Sequence, residues 1–171
     1  LSDKFGRKKP LIISLVIYII STVLIVFSSN IEMMIVLRVI QGLSSAGSVV
    51  ISRAIATDLY RGREMTRFFG LLMTINGIAP IISPILGSLL LEYISWKGVF
   101  VFLALIGVVV LFFCFRLKES LSVENRLQGS IFATFSTFGV IIKNRLFMSY
   151  VGIESFLLGA MFAYIAASPF I

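Results

Sequence analysis

Arg38 is the first residue whose side chain could take part in chemistry. It lies inside an apolar stretch, Met33 to Asp58, that is long enough to cross a bilayer. An arginine near mid-helix costs roughly 2.5 to 3.5 kcal/mol by insertion scales, so it is expected to face a polar interior, a partner or a cavity. Polar side chains recur at steps of three and four along this helix: Arg38, Gln41, Ser45, Ser48 and Ser52. We interpret them as one polar face turned away from lipid. The alternative is that Arg38 extends to the nearer membrane interface.

A carboxylate inside the last apolar run is the second chemically useful group. Glu154 lies about a third of the way through that run, and one helical face continues with Tyr150, Leu157, Met161, Tyr164 and Ser168. A carboxylate at this depth suits a proton carrier or a counter-charge for a cationic ligand. Two alternatives stay open: a hydrogen bond to a neighbouring helix, and a position still within the membrane interface. The aromatic and methionine neighbours suit an adaptable apolar pocket, although packing alone also explains them.

The composition places both groups in a polytopic membrane protein. Of the 171 residues, 58% are hydrophobic and 13% are charged, and this length holds four or five spans of roughly 20 residues. Because the sequence starts at Leu1 in mid-pattern and stops at Ile171 within an apolar run, we expect an internal fragment of a longer protein. The net charge of +7 lies in short loops, which argues against nucleic-acid binding. One cysteine and no histidine exclude a disulfide framework and the usual zinc or haem patterns.

The apolar runs and the polar breaks between them predict the order of the elements. Predicted spans cover about 11–28, 33–58, 67–91 and 96–115, and a fifth run begins at 146 and continues to 171. The very short break from Ser28 to Glu32 makes the first two spans an antiparallel hairpin. Residues 116–145 form a longer connection that separates two bundles. Within it, 129–144 suit a helix lying in the membrane surface or, equally well, a partly ordered linker.

Basic residues lie almost entirely on one side of this arrangement. Lys97 stands alone on the other side, against Lys4, Arg7, Lys8, Lys9, Arg61, Arg63, Arg67, Arg116, Lys118, Arg126, Lys143 and Arg145. By the positive-inside rule, the loops at 1–10, 59–66 and 116–145 are expected to face the cytoplasm.

The first loop, Leu1-Ser2-Asp3-Lys4-Phe5-Gly6-Arg7-Lys8-Lys9-Pro10, combines an acid, a glycine and an arginine at a spacing that membrane anchoring does not explain. It resembles the loop between helices two and three of the major facilitator superfamily, G-x-L-x-D-R/K-x-G-R-R/K, whose leading glycine would precede Leu1. In that family the acid and the arginine form a charge-relay latch between bundle halves, and the arginine bonds an acid near the cytoplasmic end of helix four. The resemblance implies a conformational latch of Asp3, Gly6, Arg7 and Asp58.

Two further segments resemble motifs of the same superfamily. Arg38-Val39-Ile40-Gln41-Gly42 is similar to the helix-four motif R-x-x-Q-G, whose arginine is tied to proton coupling in antiporters. The segment Gly77 to Ser88 resembles the helix-five antiporter motif G-x-x-x-G-P-x-x-G-G, with Ala79, Ser83 and Ser88 where glycines are usual. Its prolines predict a bend and its small residues a face for close helix contact, with the bend assigned to Gly77, Pro80, Ser83, Pro84 and Gly87. Together with Ser52-Arg53-Ala54-Ile55 and Asp58-Leu59-Tyr60, the segment looks like the bicyclomycin and chloramphenicol resistance (Bcr/CflA) subgroup of drug:proton antiporters.

The resemblance implies an all-α, polytopic membrane protein that is not an enzyme. Of twelve helices this chain would supply helices three to seven: 1–115 in the N-terminal six-helix bundle, 116–145 as the central loop and 146–171 as the first helix of the C-terminal bundle. The implied function is proton-coupled multidrug efflux across the cytoplasmic (inner) membrane by alternating access. Proton coupling is assigned to Arg38 and Glu154, and a substrate cavity to Arg38, Gln41, Ser45, Asn76, Tyr150, Glu154 and Met161.

The partners implied are small hydrophobic or cationic drugs, protons and membrane lipid, with no cofactor, metal or nucleic acid and a monomeric full-length protein. A uniporter or symporter of a sugar or other small metabolite is the alternative, because it shares the fold and the first motif; the Pro80 and Pro84 segment argues against it. A membrane-embedded enzyme or channel is more distant, because it would need a catalytic dyad, metal ligands or a repeated pore motif.

Overall fold

The computed structural model describes residues 2–121 and 142–167, and these residues are mainly helical. The helices are α1 (Ser2–Phe5), α2 (Lys8–Val26), α3 (Ile31–Leu59), α4 (Gly62–Tyr93), α5 (Trp96–Arg116) and α6 (Arg145–Ala167). The five from α2 to α6 are long and apolar enough to cross a membrane, which confirms the all-α, polytopic fold class. The side chain of Asp3 lies outside the description, and the predicted surface helix at 129–144 falls almost entirely on undescribed residues.

The chain forms two compact units, Leu1–Leu127 and Gln128–Ile171. In the first unit, α2 packs against both α3 and α5. Because α2 is antiparallel to each, the start of α2 lies beside the ends of α3 and α5. We call this the basic end and define it as residues 2–9, 58–64 and 115–121.

Glycine and extended residues set the boundaries of these helices. Gly6 separates α1 from α2 with a φ of 88°, a backbone conformation that glycine adopts readily and other residues rarely adopt. Asn30 and Tyr60 are extended and bound α3 on either side. The helix α4 begins at Gly62, ahead of the predicted span at 67–91. Its 32 residues extend about 48 Å, which is longer than a hydrocarbon core of about 30 Å. Its charged first turns therefore remain helical without having to lie in lipid.

Two apolar clusters hold the three packed helices together. Towards the basic end, Leu11, Leu15, Ile51 and Cys114 form one cluster from α2, α3 and α5. Towards the opposite end, Ile25, Leu37 and Phe100 form the other. Between the two clusters, α5 approaches α2 closely: a Cβ on Gly107 would lie 2.9 Å from Ile19 Cγ1. The packing therefore needs glycine at this point of α5.

The helix α4 stands largely apart from this packed trio, and none of its residues is buried. It makes far fewer contacts with α3 and α5 than α2 does. Both prolines lie inside it, and the helix continues through them from Gly62 to Tyr93. Because proline has no N–H, the carbonyls of Asn76 and Pro80 lose their usual helical donors.

The second unit contains α6. Asn144 precedes it and caps it, because its Oδ1 accepts hydrogen bonds from the backbone N–H groups of Leu146 at 3.1 Å and Phe147 at 3.3 Å. The side chains described along α6 are mostly exposed within its unit, Phe156 at 84%.

Candidate functional site

An ion pair at the basic end joins two residues of the predicted latch. Arg7 Nε lies 2.9 Å from Asp58 Oδ2, and Arg7 Nη1 donates to Ser2 Oγ at 2.8 Å. Arg7 is only 9% exposed although it carries a charge. The α2–α3 hairpin brings the pair together, since Arg7 directly precedes α2 and Asp58 lies in the last turn of α3. A buried charge in this setting depends on its partner, because removing one member leaves the other uncompensated.

Sequence reasoning missed two residues of this cluster, Glu119 and Ser120, which follow the end of α5. Glu119 Oε1 accepts the backbone N–H of Arg7 at 2.7 Å, and Ser120 Oγ donates to Asp58 Oδ2 at 3.3 Å. The signal available in the sequence was weak: Glu119 is an acid shortly after two basic residues, Arg116 and Lys118, on a side otherwise rich in positive charge.

A chain of hydrogen bonds among the packed helices runs from Thr22 through Gln41 to Arg38, and we call it the Arg38 relay. Thr22 Oγ1 donates to the carbonyl of Tyr18 at 2.6 Å and accepts from Gln41 Nε2 at 2.7 Å. Gln41 Oε1 in turn accepts from Arg38 Nη1 at 3.2 Å. Since the Thr22 proton is used on Tyr18, Gln41 must direct its amide nitrogen to Thr22 and its oxygen to Arg38. The relay therefore presents an acceptor to the guanidinium.

Phe100 on α5 supplies the other support for this arginine. Arg38 Cζ lies 4.6 Å from the centroid of the Phe100 ring, within cation–π distance. Phe100 is 6% exposed and also packs edge-on against Trp96, with ring centroids 6.0 Å apart. Three helices thus fix one guanidinium: α2 through Thr22, α3 through Gln41 and α5 through Phe100.

The polar face predicted along α3 divides into two. Gln41 is 5% exposed and lies in the contact with α2, so within this unit it faces a neighbouring helix, and its place in a substrate cavity stays a prediction. The buried positions Leu37, Gln41, Ser44 and Ile51 form the column that faces α2. Of the predicted stripe, Ser45 and Ser48 are half-buried, whereas Arg38 and Ser52 are exposed. Steps of three and four fit both columns, and the spacing alone did not separate them.

The predicted residues of α4 lie together on one helix and are largely exposed. Asn76, Gly77, Ser83 and Pro84 are exposed, and Pro80 and Gly87 are half-buried. A Cβ on Gly77 or Gly87 would meet nothing within 4 Å. Among the described residues, the predicted close contact on this small-residue face is therefore not made, and the bend stays a prediction.

Tyr150, Glu154 and Met161 belong to the second unit. They fall at steps of four and seven on α6, so they share a face of that helix. Tyr150 is 66% exposed, Glu154 is exposed and Met161 is half-buried within the unit. A cavity shared with Arg38 and Asn76 joins residues of both units and stays a prediction.

An open groove of about 630 Å³ lies where α3 gives way to α4. It is lined by Tyr60, Glu64, Arg67, Phe68, Leu71 and Thr74. The rings of Tyr60 and Phe68 stack there with centroids 4.9 Å apart. None of the predicted cavity residues lines this groove.

Comparison with known proteins agrees with this architecture. An uncharacterized MFS-type transporter of Bacillus subtilis, YdgK, is 39% identical over 99% of this chain, which spans 43% of that protein's length. A bicyclomycin resistance protein homolog of Haemophilus influenzae is 23% identical over 99% of the chain and 43% of its own length. The chloramphenicol resistance protein CraA of Acinetobacter baumannii is 30% identical over 64% of the chain and 26% of its own length.

The chain thus spans about two-fifths of the length of the first two relatives, in agreement with a fragment of a larger transporter. Relatives named for bicyclomycin and chloramphenicol resistance also match the subgroup resemblance found in the motifs. The family model of the Major Facilitator Superfamily matches residues 1–171, and this family consists of transporters, not enzymes. The chain therefore belongs to the major facilitator superfamily.

Proposed function

We propose that the full-length protein exports small hydrophobic or cationic drugs across the cytoplasmic membrane in exchange for protons. The observation that carries this proposal is the support of Arg38 inside a membrane-length helix. If α3 is centred in the bilayer, Arg38 lies about 10 Å from the centre, inside a hydrocarbon half-thickness of about 15 Å. A cation held at this depth is costly, and such residues mark ion and substrate pathways.

The direction of the Arg38 side chain supports a role in transport over simple extension to the interface. Its hydrogen bond goes to Gln41, one turn further from the Ile31 end of α3. An arginine that reached for the interface would extend towards Ile31 instead. The relay from Thr22 and the ring of Phe100 hold the guanidinium where a protonatable acid or a substrate of the complete protein can meet it.

The ion pair of Arg7 and Asp58 supplies the second part of the mechanism. With the basic end facing the cytoplasm, this pair closes that end of the hairpin and stabilises the outward-open form. Alternating access then requires the pair to loosen when the cytoplasmic side opens. Glu154, on the first helix of the C-terminal bundle, is proposed as a proton carrier or as a counter-charge for cationic drugs.

Names of relatives favour drugs as substrates. One is called a bicyclomycin resistance protein homolog and another a chloramphenicol resistance protein. The aromatic and methionine residues beside Glu154 suit a pocket that adapts to several apolar molecules. The Pro80 and Pro84 segment, which resembles the antiporter motif, favours exchange over uniport.

The test expresses the full-length protein in an efflux-deficient bacterium and measures accumulation of several hydrophobic and cationic drugs. The proposal predicts lower accumulation that an uncoupler abolishes, and loss of export in Arg38→Ala. Arg116→Ala is the matched control, because Arg116 also lies over a phenylalanine ring, at 4.9 Å from the Phe112 centroid, but at a helix end. Unchanged drug accumulation in cells with confirmed surface expression would contradict the proposal. Drug export at the same rate with and without the uncoupler would favour a uniporter.

A further inference from the structure

The segment after α5 ties together the start of α2 and both members of the ion pair. Glu119 lies 112 positions from Arg7, yet its Oε1 accepts the Arg7 backbone N–H at 2.7 Å and its Oε2 accepts that of Lys8 at 3.2 Å. These N–H groups belong to the first turn of α2, where a helix leaves donors without partners of its own. Because α2 has no acid in its first turn and no cap from the Arg7 side chain, Glu119 provides the negative charge there.

Ser120 reaches the opposite member of the pair. Its Oγ donates to Asp58 Oδ2 at 3.3 Å, and the same carboxylate oxygen accepts Arg7 Nε at 2.9 Å. Two consecutive residues therefore contact the two partners, one through the backbone of Arg7 and the other through the carboxylate of Asp58. A third tie comes from Lys8 Nζ, which donates to the carbonyl of Phe115 at 2.8 Å.

We infer that Glu119 is a positioning residue for the Arg7–Asp58 pair, and that the 117–121 segment holds this pair closed. The inference rests on the proposed function, in which the pair stabilises the outward-open form. Glu119 fixes the backbone of Arg7 through charge-assisted hydrogen bonds, which sets where the guanidinium can reach. Because the segment contacts both partners, a displacement of residues 117–121 would reach Arg7 through Glu119 and Asp58 through Ser120.

The charges in the cluster fit this role. Among the residues joined by the described hydrogen bonds, Arg7 and Lys8 are cationic and Asp58 and Glu119 are anionic, and Arg7 is 9% exposed. Loss of Glu119 would remove one of the two carboxylates described in this cluster and the acceptors that it offers to the N–H groups of Arg7 and Lys8. Arg7 would then be a weaker and more mobile partner for Asp58.

The test follows the conformation of the full-length protein with a single external cysteine. Cys114 and any other native cysteine of the full-length protein are first replaced by alanine, and Ser45→Cys is added as a reporter at the midpoint of α3, where the proposed pathway opens to the outside only in the outward-open form. A membrane-impermeant maleimide applied to whole cells then reports how often the outward-open form is populated. Glu119→Ala and Asp58→Asn are each expected to slow labelling about fivefold or more, the coupling usual between linked conformational sites. The matched control is Glu92→Gln, at an exposed acid outside the cluster.

A double-mutant cycle separates positioning from a general structural effect. If Glu119 acts through the pair, Glu119→Ala adds no further slowing to Asp58→Asn. Two results would overturn the inference but keep the pair as a latch. One is a double variant in which the two reductions in labelling rate multiply. The other is a parental labelling rate in Glu119→Ala while Asp58→Asn labels slowly. Parental labelling in Asp58→Asn would overturn the latch itself and the inference with it.

Reduced membrane abundance of Glu119→Ala would not end the test. Glu119→Gln keeps one acceptor oxygen and Ser120→Ala removes only the bond to Asp58. Both are expected to slow labelling less than Glu119→Ala but more than Glu92→Gln. Parental labelling in both, at normal abundance, would contradict a positioning role.

Discussion

At the scale of single residues, the orientation of one amide decides how Arg38 is held. Gln41 cannot turn its oxygen towards Thr22 usefully, because the Thr22 hydroxyl proton already serves the carbonyl of Tyr18 at 2.6 Å. The amide nitrogen therefore faces Thr22 at 2.7 Å and the oxygen faces Arg38. Gln41, which the sequence assigns to a substrate cavity, thus orients the charge beside it within the described residues, and its place in a cavity stays a prediction.

Thr22→Val tests this relay with little change of shape. The variant leaves the Gln41 amide N–H without its acceptor in a site where Gln41 is 5% exposed and Thr22 is 0% exposed. We expect a loss of about 1 kcal/mol in the free energy of unfolding in detergent, at the upper side of measured interhelical hydrogen bonds in membranes. Drug export is expected to fall several-fold, because Arg38 loses an oriented acceptor.

Thr57→Val is the control for that variant. Thr57 Oγ1 also donates to a carbonyl of its own helix, that of Ala54 at 2.8 Å, but the side chain is exposed. It should leave both unfolding and export unchanged. Equal effects from the two variants would show that Thr22 acts only through its own helix.

At the scale of helices, the sequence predicted the order of spans and the hairpin well, because hydropathy and short polar breaks are local signals. It could not separate the two polar columns of α3. Gln41 and Ser45 are four residues apart, but only the contact with α2 shows that Gln41 is buried at 5% exposure. It also missed Glu119, because that contact joins residues 112 positions apart and follows from packing of α2 on α5.

Packing of α2 on α5 gives a prediction of its own. In Gly107→Ala the added Cβ would lie 2.9 Å from Ile19 Cγ1 and 3.5 Å from Tyr18 Cδ1, so the Ile19 side chain or the helices must shift. Overpacking of this kind costs about 1–3 kcal/mol. The expected result is a lower midpoint of thermal unfolding for the purified full-length protein.

Gly70→Ala on α4 provides the comparison, since a Cβ there meets nothing within 4 Å. Alanine is also the better helix former, so the midpoint should stay unchanged or rise. A Gly107→Ala protein as stable as the parent would show that α5 can move away from α2 without cost.

At the scale of the whole molecule, α2 links the two candidate sites of the first unit. Its start carries Arg7 and receives Glu119, while Thr22, near its far end, supports Gln41 and through it Arg38. A movement of α2 against α3 would therefore act on the ion pair and on the Arg38 relay together. In the proposed mechanism, this arrangement couples opening of the basic end to the position of the Arg38 guanidinium.

The central claim is that Arg38 serves proton-driven drug export, and transport by the purified full-length protein in liposomes tests it most directly. An imposed pH gradient should drive drug accumulation against its concentration gradient. Arg38→Ala should lower the rate of drug accumulation at least about tenfold, which corresponds to about 1.4 kcal/mol of activation free energy. Arg116→Ala should keep a rate near that of the parent protein. Drug accumulation that is independent of the pH gradient, or equally fast in Arg38→Ala, would contradict the account.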